Sequence, residues 1–215
     1  MFFRYHIRIL GTLLSLITLG GIITACGVNE STSNSMNHEK IMDHNHSVME
    51  LGPADTEYDL RFIDAMIPHH EGAVIMAQDV LAKSQRTELL ELATEIINAQ
   101  EQEIEQMKQW RKNWYPQALE TPMTWNAQMN HSMAMSEEQI EAMRMDMDLG
   151  VADENYDRRF LETMILHHQT AVEMAEDVLE KSERSEIKEL ANNIITSQQM
   201  EIDQMNGWLN DWYGN

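Results

Sequence analysis

The chain has 215 residues, with 36 Asp plus Glu against 15 Lys plus Arg, a formal net charge of −21, 43% hydrophobic residues, 18 Met and one Cys. This apolar content supports a core and excludes disordered, collagen-like and disulfide-knotted classes, while the acidic excess excludes a nucleic-acid partner, whose phosphates require clustered Lys and Arg. Cations are the natural partners of such a surface, unless the carboxylates serve solubility alone.

Residues 1–25 place Arg4 and Arg8 ahead of an apolar run, the layout of a secretory signal. Ile23, Thr24 and Ala25 precede the sole cysteine, Cys26, as in a bacterial lipobox, where cleavage leaves an acylated Cys as the new N-terminus. The alternative is an uncleaved anchor over residues 9–25, at the short limit for spanning a bilayer. Either reading puts the remainder outside the cytoplasm, tied to the membrane. With no second Cys, an intramolecular disulfide is excluded and soft-metal chemistry falls to His and Met. Residues 26–53 read as a tether without stable structure, carrying Met36, His38, Met42, His44, His46 and Met49.

Residues 58–115 align without gaps on residues 156–213, with more than half of the paired positions identical. The domain is an internal duplication. Each copy contains two long segments of 3.6-residue periodicity separated by Lys-Ser-x-Arg, at Lys83 to Arg86 and Lys181 to Arg184. The first segment aligns Tyr58, Phe62, Met66, His69, Ala73, Met76 and Val80 on one stripe, and Ile63, Ile67, His70 and Val74 on the next. The spacing predicts an all-α fold: a four-helix bundle of two duplicated hairpins, residues 54–115 and 156–215. The connection, residues 116–155, is long for a bundle loop. Within it Ser136 and Gln139 resemble a capping box, with Ile140, Met143 and Met147 on one face of a short helix laid across the bundle. Met129, His131, Met133 and Met135 precede that helix with no apparent core to fill.

Each second helix carries Gln and then Glu on its core stripe, Gln100 and Glu103 in one copy, Gln198 and Glu201 in the other. A turn near Gln85 sets these against Met66, His69 and His70, with Met107 beside them; the duplicate sets Met164, His167 and His168 against Glu201 and Met205. A bare carboxylate in a core costs several kcal/mol, so something compensates it. One explanation is a hydrogen-bonded layer in which Glu103 accepts from a histidine and Gln100 completes the network. The other is a metal site with His69, His70, His167 and His168 as ligands, thioethers from Met66, Met76, Met107, Met164, Met174 and Met205, and Glu103 and Glu201 orienting the rings or binding directly. Thioether plus imidazole favours Cu(I) or Ag(I) over the oxygen-loving Mg(II) and Ca(II). Di-iron carboxylate enzymes use Glu-x-x-His, where this chain has Met66-x-x-His69 and Met164-x-x-His167. Core methionines are also ordinary gap fillers. The tether residues, including His38, His44 and His46, and the connection residues Met129, His131, Met133 and Met135 read as accessory, exchangeable soft-metal ligands.

Phe62-x3-Met66-Ile67-Pro68-His69-His70-x2-Ala73-x2-Met76, with Gln100-x2-Glu103-x3-Met107-x2-Trp110, resembles the bacterial family known as "domain of unknown function 305". The second copy matches too, with Leu166 where Pro is usual. The resemblance implies a ferritin-like four-helix bundle, export from the cytoplasm and, since one periplasmic cyanobacterial member binds copper, a role in copper resistance. The expectation is therefore an exported, lipid-anchored buffer or carrier of Cu(I), with Cu(II) and Ag(I) as further candidates, working with copper-handling proteins and not as an enzyme. Its rivals are a ferritin-like metal-dependent oxidase or peroxidase and a metal-independent interaction module of the envelope.

Overall fold

The computed structural model describes residues 51–214. The signal sequence, Cys26 and the tether candidates Met36, His38, Met42, His44, His46 and Met49 lie outside the described residues. The apolar periodicity folds into α1 (Tyr58–Lys83), α2 (Thr87–Trp114), α4 (Tyr156–Lys181) and α5 (Ser185–Tyr213). Between the hairpins lie a two-stranded antiparallel ribbon, β1 (Met123–Asn126) and β2 (His131–Ala134), and a short α3 (Glu137–Arg144). Both long hairpins turn where the sequence breaks: Ser84 and Ser182 leave the helix in extended conformation. The capping box is present, with the Ser136 hydroxyl accepting from Gln139 N and the Gln139 side chain accepting from Ser136 N. Among the described residues no helix is long and apolar enough to cross a membrane.

The four long helices share two apolar clusters, and each draws on both hairpins. One joins Tyr58, Phe62 and Met66 of α1 and Met107 of α2 to Met174 and Val178 of α4 and Ile187 of α5. The other joins Met76 and Val80 of α1 and Leu89 of α2 to Tyr156, Phe160 and Met164 of α4 and Met205 of α5. The start of α1 therefore lies beside the end of α4, and the duplicated halves are related by a pseudo-twofold axis across the bundle. The same relation repeats in the polar contacts. Tyr58 donates to Asp177 and Tyr156 to Asp79, each at 2.7 Å, while Arg86 pairs with Asp157 and Arg184 with Asp59.

Three expectations need correction. The last tether residues are part of the fold: Leu51 is buried, and its carbonyl accepts from Arg61 Nε at 2.6 Å. Arg159 donates likewise to the Leu149 carbonyl, so the repeat begins at the Leu-Gly-x-Ala-Asp shared by residues 51–55 and 149–153. The connection also does have a core to fill. Met135 and Met143 are buried in the first cluster, because the ribbon and α3 pack on α1. Asp64, almost fully buried, pins the ribbon by accepting from Arg111 Nε and from Met123 N. Met147, expected on the docking face of the short helix, lies beyond its end and is 60% exposed.

Candidate metal centre

The helical register carries Met66, His69 and His70 on successive turns of α1, where residues three and four apart share a face. Met164, His167 and His168 do the same on α4, and all four imidazoles are buried. His69 and His167, equivalent in the repeat, approach each other on the pseudo-twofold axis, their ring centroids 3.8 Å apart and tilted by 44°. His70 and His168 flank them at 6.4 and 6.3 Å. The outer pair is anchored as the sequence predicts. His70 Nε2 donates to Glu103 Oε2 at 2.7 Å, and His168 Nε2 to Glu201 Oε2 at 2.5 Å. Each carboxylate fixes the proton on Nε2 and, in the neutral ring, leaves Nδ1 with a lone pair and, at both His70 and His168, no protein partner.

The glutamines of the expected network take no part. Gln100 and Gln198 do not complete it: their Oε1 atoms are buried without a protein partner. So are both nitrogens of His69 and the Nδ1 atoms of His70, His167 and His168. All seven buried, unpartnered side-chain nitrogens and oxygens among the described residues thus fall in this one layer. An orphaned buried polar group costs about 1–3 kcal/mol, and an ion or water bound in the layer would satisfy these seven. The donor set fits a soft cation, since neutral imidazoles offer lone pairs without a charge penalty. Burial pushes His69 well below the usual histidine range, with His167, His70 and His168 adding like-charge repulsion. Burial likewise pushes His167 down to about 3.

Among the described residues no three His, Cys, Asp or Glu side chains are grouped to hold an ion. The buried thioethers are in place on both sides of the layer: Met66, Met107 and Met174 in one cluster, Met76, Met164 and Met205 in the other. Each set mixes the two copies, with Met174 joining the first copy's pair and Met76 the second's. The accessory candidates in the connection stay apart from this layer. Met129 and His131 are exposed, the ring Nδ1 of His131 lying 3.1 Å from the Met129 carbonyl. The Met133 sulfur accepts from Asn126 Nδ2, and Met135 is core.

Sequence reasoning missed the residue that breaks the symmetry of the layer. The carbonyl of Arg144, at the end of α3, accepts from His167 Nε2 at 3.0 Å, whereas the equivalent His69 has no such partner. This approach needs Gly72, where a Cβ would stand 1.8 Å from the Arg144 oxygen. The signal was present as a difference between the copies, since Gly72 corresponds to Thr170.

The profile of the family described as "Domain of unknown function (DUF305)" matches residues 59–209. Among solved structures, the chain is 36% identical to CopM in its Cu(I)-bound form, covering 73% of this chain and 98% of that one with a TM-score of 0.56. The Cu(II)-bound form of CopM gives 39% identity, 72% and 97% coverage and a TM-score of 0.58. A DUF305 fragment from Deinococcus radiodurans is 28% identical, with 74% and 99% coverage and a TM-score of 0.54. The uncharacterized protein L153 of Acanthamoeba polyphaga mimivirus is 40% identical over 55 residues, a stretch spanning 36% of that viral protein. With its profile match running from the first turn of α1 to the last turns of α5, the chain belongs to the DUF305 family.

Proposed function

We propose that this protein is an exported, lipid-anchored carrier or buffer of copper, taking Cu(I) and accepting Cu(II) and Ag(I), and that it is not an enzyme. The observation that carries the reading is the layer of seven orphaned polar atoms, five of which are imidazole nitrogens, with buried thioethers above and below. CopM, 36% identical to this chain over an alignment covering 73% of it, has been solved with Cu(I), Cu(II) and Ag bound. His69, His70, His167 and His168 are the principal ligands, completed by Met66, Met107 and Met174 on one side and Met76, Met164 and Met205 on the other. Glu103 and Glu201 orient the outer rings and raise their basicity. Export and acylation at Cys26 are supported by the apolar leader and the small residues before that cysteine, and His38, His44, His46 and the exposed Met129 and His131 serve as exchangeable peripheral ligands. Handing the ion to other copper-handling proteins follows from ligands that need no proton release.

Competition of the full chain for Cu(I) against a chromophoric chelator tests the reading. Submicromolar dissociation is expected, with a loss of at least about a hundredfold when all four histidines become Ala. Millimolar binding, or unchanged affinity in that variant with helicity retained, refutes it.

A further inference from the structure

Resting on the copper reading, the structure points to where the ion first lands. We propose that the groove between the second half of α1 and residues 146–149 is the landing site for a soft monovalent cation, with Met147 as the capturing thioether and Met76 the next donor inward. The groove, about 510 Å³, is lined by Met76, Asp79, Lys83, Asp146, Met147 and Asp148. Met147 is 60% exposed and Met76 is 1% exposed. One cavity therefore has an open sulfur at its rim and a core sulfur in its wall. Met76 in turn belongs to the cluster of Met164 and Met205, beneath the histidine layer.

The ordinary explanation of Met147, packing of the short helix, does not apply, because α3 ends at Arg144 and Met147 is 60% exposed beyond it. The electrostatics suit a cation. Three carboxylates face one ammonium, and that ammonium, Lys83 Nζ, is already held by Asp79 at 2.9 Å and by the Gly150 carbonyl. Oxygen ligands alone do not retain a soft ion, so the carboxylates attract it and the thioether holds it. The duplication supplies an independent indication. Within residues 46–50 and their counterparts 144–148, Met49 and Met147 are the identical pair, and Met76, Asp79 and Lys83 recur as Met174, Asp177 and Lys181. Met49 itself lies outside the described residues.

The test uses the full chain with Met49→Leu as parent, so that only Met147 is varied. Uptake of Cu(I) from its bicinchoninate complex is followed by stopped flow, alongside methyl NMR of the 13C-labelled methionines with Ag(I) below one equivalent. Met147→Leu is expected to slow uptake about tenfold, with the equilibrium affinity within about twofold of the parent, and the Met147 methyl is expected to shift with the first additions of Ag(I). Equal uptake rates in the two chains, or a Met147 methyl unmoved at one equivalent, overturn the landing site. Failure of the copper reading is separable, because it appears as no Cu(I) uptake by the parent itself.

Discussion

His69 and His167 meet with their ring centroids 3.8 Å apart, and burial holds both rings in the neutral form. Both are protonated more easily in the unfolded chain than in the fold, so their contribution to stability is intact above the ordinary histidine pKa of 6.5 and is lost as pH falls toward the folded value. For His167, lowered to about 3, the metal-free protein is expected to lose about 2 kcal/mol between pH 7 and pH 5. Urea unfolding at the two pH values measures it, and His167→Leu should flatten the difference by that amount. The outer rings differ because each has a carboxylate partner. Glu103→Gln keeps the hydrogen bond to His70 but removes the charge behind it, and is expected to weaken Cu(I) binding about 10- to 100-fold at the site using His70 while leaving the His168 site near its original affinity. These residues were legible in the sequence, since a His pair and a Glu three residues after a Gln stand out on apolar stripes. Which atoms would be left without partners was not legible, because ring orientation depends on backbone approaches that helical periodicity does not encode.

At the level of elements, α3 sets the two halves apart. Its terminal carbonyl reaches His167 only because Gly72 has no side chain. A Cβ there meets backbone and not a flexible side-chain tip, so Gly72→Ala must displace the end of α3. The expected cost is about 1–3 kcal/mol, read by urea unfolding, together with a change in the His167 ring resonances and none in those of His168. The four long helices and the cap of α3 followed from periodicity and the Ser136–Gln139 pair. The ribbon did not. Its strands are four residues each, too short for alternation to register, and its position depends on Asp64 and Arg111, whose counterparts Glu162 and Leu209 show that the pairing belongs to one copy alone. The methionines of the connection misled for the same reason: Met135 looked uncommitted only because the surface it packs on is formed by α1, far away in sequence.

The molecule as a whole is an exchange of halves. Each apolar cluster takes residues from both hairpins, so a single hairpin cannot bury its own face. Residues 51–115 expressed alone are expected to be helical only as a dimer, with a second copy supplying Met76, Val80 and Leu89 where the intact chain uses Met174, Val178 and Ile187. Sedimentation and circular dichroism over a dilution series check this, and a concentration-independent helical monomer would contradict it. At opposite ends of the bundle, Trp110 stacks on Trp114 at 5.0 Å and Trp208 on Trp212 at 5.3 Å. Each pair is covered by an arginine of the other hairpin, Arg184 over Trp114 at 4.4 Å and Arg86 over Trp212 at 4.1 Å. Guanidinium and indole part as soon as the halves do. The protein thus carries an optical gauge at each pole, and its native fluorescence reports separation of the hairpins with no dye attached.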